Sequence, residues 1–183
     1  MLNTKFKSTT ILGVRIGKKV ALGGDGQVTL GDMQMKSKAV KVREFANGKV
    51  LAGFAGAAAD AMSLFERFEG KLDESHNNLQ KAVVEIAKDW RTDKVLKDLD
   101  ALLAIMDIKN SYILSGSGDV IEPDGQIISI GSGSGYATAA AQAFLMTGIK
   151  NPKKVVSQSL YITSEICIYT NSKINILEIK WQI

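Results

Sequence analysis

The sequence predicts an α+β fold in which antiparallel sheets carry helices on their outer faces. Three observations lead there. Hydrophobic periodicity comes in blocks: strand-like up to residue 55, helical over two stretches, strand-like again, helical over two more, then one last strand. Glycine, asparagine and aspartate punctuate the strand blocks at tight-turn spacing, so successive strands run back against each other. Strands and helices do not alternate singly, which argues against a doubly wound parallel sheet.

Residues 9–16 and 19–24 read as a hairpin across Gly17-Lys18. Val28-Thr29-Leu30 and Met33-Gln34-Met35 are short extended pieces on either side of Gly31-Asp32. Residues 40–45 alternate, with Val40 and Val42 on one face and Lys41 and Arg43 on the other, and Asn47-Gly48 marks a tight turn. Residues 50–55 form a continuous apolar strand. From 56 to 72 the period changes, and Ala61, Leu64, Phe65, Phe68 and Leu72 share one helical face. Asn78 is placed to cap a second helix, whose stripe is Leu79, Val83, Ile86, Ala87 and Trp90; helical spacing resumes through Val95, Leu96 and Leu99. Strands return at 102–108, 111–115, 119–121 and 127–131. The run Gly131-Ser132-Gly133-Ser134-Gly135 then turns into an alanine-rich helix over 136–147. Pro152 opens a fourth helix over 153–168, and 174–181 alternates as the closing strand.

The chain of 183 residues suffices for one compact domain with a core. Apolar residues make up 45% and charged residues 23%, as in ordinary globular proteins. A single cysteine, Cys167, excludes an internal disulfide framework and fits a reducing compartment. No apolar run approaches the roughly 20 residues of a membrane span. Residues 1–8 lack the apolar stretch of a secretory signal; they fit a flexible start, a fragment of a targeting signal or a removable propeptide. Lys5 and Lys7 supply two of the 23 basic residues set against 19 acidic ones, so half of the +4 surplus lies in this leader. A nucleic-acid binder would show a basic face with interleaved aromatics. The one concentration, Lys36, Lys38, Lys41 and Arg43, reads as a solvated loop and strand.

The stretch with chemical potential is Thr9-Thr10, followed by Gly23-Gly24-Asp25-Gly26. Alone, a threonine pair at a strand start is structural, since β-branched residues favour strands. A threonine that becomes the first residue of its chain is different. Its α-amine, with a pKa of about 7.7–8.0, lies beside its own hydroxyl and can take the proton. Such chemistry needs no histidine, and His76, the only one, lies in a polar stretch far from other candidates. By themselves Asp25 reads as a turn former and Lys41 as a solvent-facing strand residue. The glycine-serine run at 131–135 lacks the Gly-Lys-Ser/Thr ending of a phosphate loop.

These segments, in order, closely resemble the HslV (ClpQ) family, the proteasome-β-like peptidase subunits of a bacterial ATP-dependent protease. The matching stretches are Thr9-Thr10-Ile11, Gly24-Asp25-Gly26-Gln27, Lys41-Val42-Arg43, Ala52-Gly53-Phe54-Ala55-Gly56, Ala87-Lys88-Asp89-Trp90-Arg91-Thr92-Asp93, Ile130-Gly131-Ser132-Gly133 and Ile166-Cys167-Ile168-Tyr169-Thr170. They cover nearly all of the chain after residue 8. The resemblance implies an N-terminal nucleophile hydrolase fold, a four-layer αββα sandwich with two antiparallel sheets between helix pairs. It implies a propeptide over 1–8 and a single threonine peptidase domain over 9–183, with Thr9 freed when its hydroxyl attacks the preceding carbonyl. Thr10 would point to the other face of the strand.

The resemblance further implies that Asp25 and Lys41 complete the site and that Ser132 hydrogen-bonds near the threonine amine. An ammonium beside Thr9 favours its alkoxide and keeps the amine basic, while a carboxylate keeps that lysine charged. Gly56, at a strand-to-helix junction, is the candidate oxyanion donor through its backbone N–H. Arg43 and Glu44 lie near the site without an assigned role. Ser164, Cys167 and Thr170 match the family's sodium site, where backbone carbonyls bind the ion. The family usually has glycine at position 164, and often glycine and proline where Ser134 and Gly135 stand. The resemblance also implies a homo-oligomer of two stacked six-membered rings, an AAA+ ATPase partner of the HslU (ClpY) type, protein substrates and a cytoplasmic location. No nucleotide-binding motif occurs on this chain, and no nucleic acid or membrane partner is expected. The competing readings are an N-terminal nucleophile amidase acting on small amides, and an inactive ring or scaffold subunit. The latter would be expected to have lost Thr9, Asp25 or Lys41, and all three are present.

Overall fold

The computed structural model describes residues 9–56, 58–93 and 101–179. Its first sheet has the order β10-β1-β2-β11, built from β1 (Thr10–Ile16), β2 (Lys19–Gly24), β10 (Ile127–Gly131) and β11 (Asn175–Ile179). The second has the order β5-β6-β7-β8-β9, from β5 (Val42–Phe45), β6 (Val50–Ala55), β7 (Leu102–Met106), β8 (Ser111–Ser115) and β9 (Val120–Ile121). A separate hairpin joins β3 (Val28–Leu30) to β4 (Met33–Lys36). Every pairing is antiparallel. Helices α1 (Ala58–Glu74) and α2 (Leu79–Thr92) follow the first strand block, and α3 (Ser134–Met146) and α4 (Pro152–Ile166) the second.

Three buried clusters show the layers. Leu64, Phe65, Phe68 and Leu72 of α1, with Val83, Ile86 and Trp90 of α2, pack on the outer face of the five-stranded sheet, against Phe54, Leu103 and Leu114. Between the sheets lie Ile11, Leu22, Leu51, Ala104, Met106, Ile128 and Ile130. On the far side, Leu12, Val14 and Ala21 meet Ala137 and Ala141 of α3 and Val155, Val156 and Leu160 of α4. The alternation of β1 therefore decides the architecture: Ile11 faces the other sheet, and Leu12 and Val14 face the helices. By the same period Thr9 falls on the inter-sheet side and Thr10 on the helix side. The predicted four-layer sandwich is the observed one.

Local signals act as expected at the helix starts. Asn78 accepts a hydrogen bond from Lys81 N at 3.1 Å, and Pro152 occupies the first turn of α4; Asn151, a cap not read from the sequence, accepts from Lys154 N at 3.1 Å. At the Asn47-Gly48 turn the chain takes positive φ from Ala46 through Gly48. Ala61 and the helical spacing at Val95, Leu96 and Leu99 lie outside the described residues or side chains.

One expectation is corrected. The strand expected over 40–45 begins only at Val42, and Val40 is 69% exposed while Val42 is buried. The chain before β5 is held by contacts to the turn at residue 26, Ala39 N donating to Gly26 O at 2.9 Å, so strand alternation does not extend back to Val40. The basic cluster also divides: Lys36 and Lys38 are exposed, Arg43 pairs at the surface with Glu69, and Lys41 is buried.

Candidate active site

The site forms where β1 begins and β2 ends. Ile11 pairs with Gly24 across the hairpin, so the turn after β2 folds back over the start of β1. Asp25 N donates to Thr10 O at 3.2 Å, and Thr10 N donates to Asp25 Oδ1 at 2.8 Å. The residue that a turn-former reading would leave in solvent is wholly buried. Its other oxygen accepts from Gln27 N at 2.8 Å and from Asn171 N at 3.3 Å.

A carboxylate in such a place needs a compensating charge. Lys41 supplies it: Nζ lies 2.9 Å from Asp25 Oδ1, with 7% of the side chain exposed. The same ammonium donates to Gln27 O. Burial pushes the lysine pKa down from its ordinary 10.5, and the adjacent Asp25 charge and hydrogen bond oppose that fall. Asp25 Oδ1 thus bridges the ammonium and the peptide nitrogen that joins Thr9 to Thr10.

Thr9 is buried and held from the other side by the end of β10. Ser132 N donates to Thr9 O at 2.9 Å, and Ser132 Oγ reaches the same oxygen at 3.4 Å. This approach requires Gly131: its φ is +95°, and a Cβ there would sit 1.9 Å from Thr9 O. The same imagined atom would lie 3.5 Å from Ala55 Cβ, so the end of β6 borders Thr9 as well. Gly56 follows directly, between β6 and α1, at the predicted strand-to-helix junction.

Thr10 faces the helices and does other work. Its hydroxyl accepts from Gly133 N at 3.0 Å and lies 2.7 Å from Thr170 Oγ1. Gly133 caps α3 here, and a Cβ on it would fall 2.3 Å from Thr10 Oγ1. Thr170 belongs to the loop after α4. Cys167 caps that helix, with Cys167 N donating to Thr163 O at 2.8 Å and Thr170 N donating to Cys167 O at 3.0 Å. Ser164 lies in the last turn, where helical carbonyls lack intrahelical partners. Its backbone is helical, so the glycine usual in the family is not needed for chain shape. Its hydroxyl is turned back to Tyr161 O at 2.7 Å. Oxygen donors at a helix C-terminus suit a small hard cation.

The sequence-predicted residues Thr9, Asp25, Lys41 and Ser132 converge, and Ser164 in the last turn of α4, Cys167 at its cap and Thr170 in the loop beyond form one helix end joined to them by the Thr10–Thr170 hydroxyl contact. Two further residues were not singled out from sequence. Gln27 Nε2 donates to Ile168 O at 2.9 Å and to Thr29 Oγ1 at 3.0 Å. Asn171 binds Asp25 and Gly26. The Gln27 amide is buried and the Asn171 amide half-buried; both gain their roles from partners on distant segments, and nothing in local sequence marks them.

The family comparisons agree with this geometry. The chain matches the Proteasome subunit family over residues 5–179. The chain belongs to that family. Among solved structures it is similar to eukaryotic HslV from Trypanosoma brucei, with 40% identity, a TM-score of 0.88, and coverage of 94% of this chain and 99% of that one. A second, Thiobacillus denitrificans BPH, shares 15% identity at a TM-score of 0.71 over 93% of this chain and 97% of that one, a likeness of fold alone. The fold is therefore that of the proteasome-type N-terminal nucleophile hydrolases, and the chain is a threonine peptidase of the HslV kind.

Proposed function

We propose that Thr9 is the nucleophile of the proteolytic subunit of a two-component ATP-dependent protease, and that residues 1–8 are a propeptide. The observation that carries this reading is the buried Asp25 carboxylate, shared by Lys41 Nζ and the nitrogen of Thr10 immediately beside Thr9. Maturation begins when the Thr9 hydroxyl attacks the Ser8 carbonyl, forming an ester and releasing the Thr9 amine; water then hydrolyses the ester and frees the leader.

In the mature enzyme the Thr9 hydroxyl adds to a substrate peptide carbonyl while its proton passes to the Thr9 α-amine. The Lys41 ammonium lowers that amine's pKa, keeping it unprotonated, and stabilises negative charge on the oxygen. Asp25 holds Lys41 charged and in place. Ser132 fixes the Thr9 carbonyl, and with it the orientation of the amine. The Gly56 N–H is the oxyanion donor in this reading. Collapse expels the substrate amine, which takes the proton, and leaves an acyl ester on Thr9. Water, with the same amine as base, releases the acid.

The family membership supports assembly into rings, read here as a dodecamer of two stacked hexamers that closes the sites inside a chamber. An AAA+ ATPase of the HslU type would unfold and deliver protein substrates. No helix among the described residues is long and apolar enough to cross a membrane; the cytoplasmic location is part of the HslV-type reading. The carbonyls of Ser164, Cys167 and Thr170 would hold a sodium ion, which would supply fixed positive charge and brace the loop behind Thr10. Peptide hydrolysis with and without the ATPase tests the proposal. Wild type should be active and stimulated by the partner, and Thr9→Ala should be inactive in both conditions; equal activity of the two proteins would overturn it.

A further inference from the structure

Asn171 lies one residue beyond the loop motif and carries an unusual set of bonds. Its backbone N–H donates to Asp25 Oδ2 at 3.3 Å. Its Oδ1 accepts from Gly26 N at 3.2 Å and from Lys173 N at 3.1 Å, and its Nδ2 donates to Ser37 O at 3.1 Å. Three chain segments distant in sequence meet on this one side chain: the Asp25 turn, the strap that leads to Lys41, and the loop after α4. They are pressed together there. A Cβ on Gly26 would fall 2.5 Å from Ser37 O, 3.0 Å from Lys38 Cα and 3.1 Å from Lys173 O.

From this arrangement we infer that Asn171 is a positioning residue for the hydrolytic reaction: its side chain clamps the Asp25 turn to the strap carrying Lys41, and so sets the carboxylate–ammonium geometry beside Thr9. The inference rests on the Thr9 reading above. The alternative is that Asn171 merely adds stability, as any half-buried amide with several partners does. The geometry favours the clamp. Gly26 adjoins Asp25, and Ser37 opens the strap that runs to Lys41; the bonds of Asn171 close this corner beside the β3–β4 hairpin, which pairs Val28 with Lys36, and the Ala39 N to Gly26 O bond, and Asn171 alone among these ties also contacts Asp25 Oδ2. Desolvation of Lys41 is balanced against its contact with Asp25, so a small increase in their separation changes the protonation of the site.

The test uses the assembled protease with its ATPase and a peptide substrate, at a temperature where all variants remain folded. Asn171→Ala should lower kcat by about ten- to a hundredfold with KM little changed, the scale expected for slight misplacement of reacting groups. The alkaline limb of its pH profile should move to lower pH, because a loosened Asp25 holds the Lys41 proton less well. Leu72→Ala, a core truncation far from the site, serves as the control for stability alone and should keep the wild-type kcat and pH profile. The clamp is overturned if Asn171→Ala loses thermal stability yet matches wild type in kcat and pH limb, or if its kinetics match those of Leu72→Ala. Thr9→Ala in the same series separates the two readings. An active Thr9→Ala removes the nucleophile assignment, whereas an inactive Thr9→Ala beside a kinetically normal Asn171→Ala removes only the clamp.

Discussion

Replacing Asp25 by asparagine keeps the shape of the side chain and removes its charge. The structure sets the size of the effect. Asp25 is fully buried and accepts from Thr10 N, Gln27 N, Asn171 N and Lys41 Nζ. An asparagine can accept with only one oxygen, so its NH2 group must face donors on one side. Lys41, 7% exposed, is left without its counter-charge. Breaking a buried pair by removing one partner costs about 3–5 kcal/mol, and that loss should appear in denaturant unfolding at neutral pH. With desolvation unopposed, the Lys41 pKa falls further below 10.5. In the folded variant the lysine then loses its proton at a pH where the unfolded chain still binds it. The variant's deficit against wild type should therefore shrink as pH rises toward that ordinary value. Asp25→Asn combined with Lys41→Met, which removes the orphaned charge, should recover at least about half of the loss, as a coupling energy in a double-mutant cycle. A single-variant loss below about 1 kcal/mol, typical of exposed pairs, would refute the reasoning, as would simple additivity of the two substitutions.

Other expectations follow from the same contacts. Thr10→Val keeps the volume but orphans Gly133 N and the Thr170 hydroxyl; unfolding should show a loss of about 1–3 kcal/mol, with activity reduced rather than abolished. The rate of peptide hydrolysis should rise through an acidic limb below about 7.7–8.0, the unperturbed amine range, because the Lys41 cation depresses the Thr9 amine. It should fall again on the alkaline side below 10.5, the ordinary lysine value, as Lys41 loses its proton. Exchange of sodium for a bulky quaternary ammonium ion should lower the melting temperature, by about 2.7 kcal/mol of stabilisation for an ion present at a hundred times its dissociation constant; an unchanged transition would remove the cation from the account.

Much of the fold was legible because its signals are local. Period changes at Gly56 and after Gly131, the Asn78 cap, Pro152 at the start of α4, and the alternation of Ile11, Leu12 and Val14 each act over a few residues. The layer order follows once β1 must bury both faces. Lys41 shows the limit of that reading. Its burial depends on a turn some fifteen residues earlier, and the contacts of Gly26 with the strap that follows β4 also keep Val40 out of the strand. Asn171 and Gln27 are less visible still. Their amides gain meaning only from carbonyls and N–H groups on remote segments, and no pattern along the chain encodes those partners. Asp25, Lys41 and Ser132 were found through resemblance to a family, since residue type alone favoured a turn for the first and a solvent-facing strand position for the second, and the glycine-serine run around Ser132 fitted no phosphate loop.

The central claim is that one residue supplies both the attacking oxygen and its base, which demands a free Thr9 amine. N-terminal sequencing of the active protein, paired with that of Thr9→Ala, tests this most directly. The expected result is Thr9 as the first residue of the active enzyme, with the leader retained when the hydroxyl is removed. A fully active enzyme that still carries Ser8 ahead of Thr9 would contradict it.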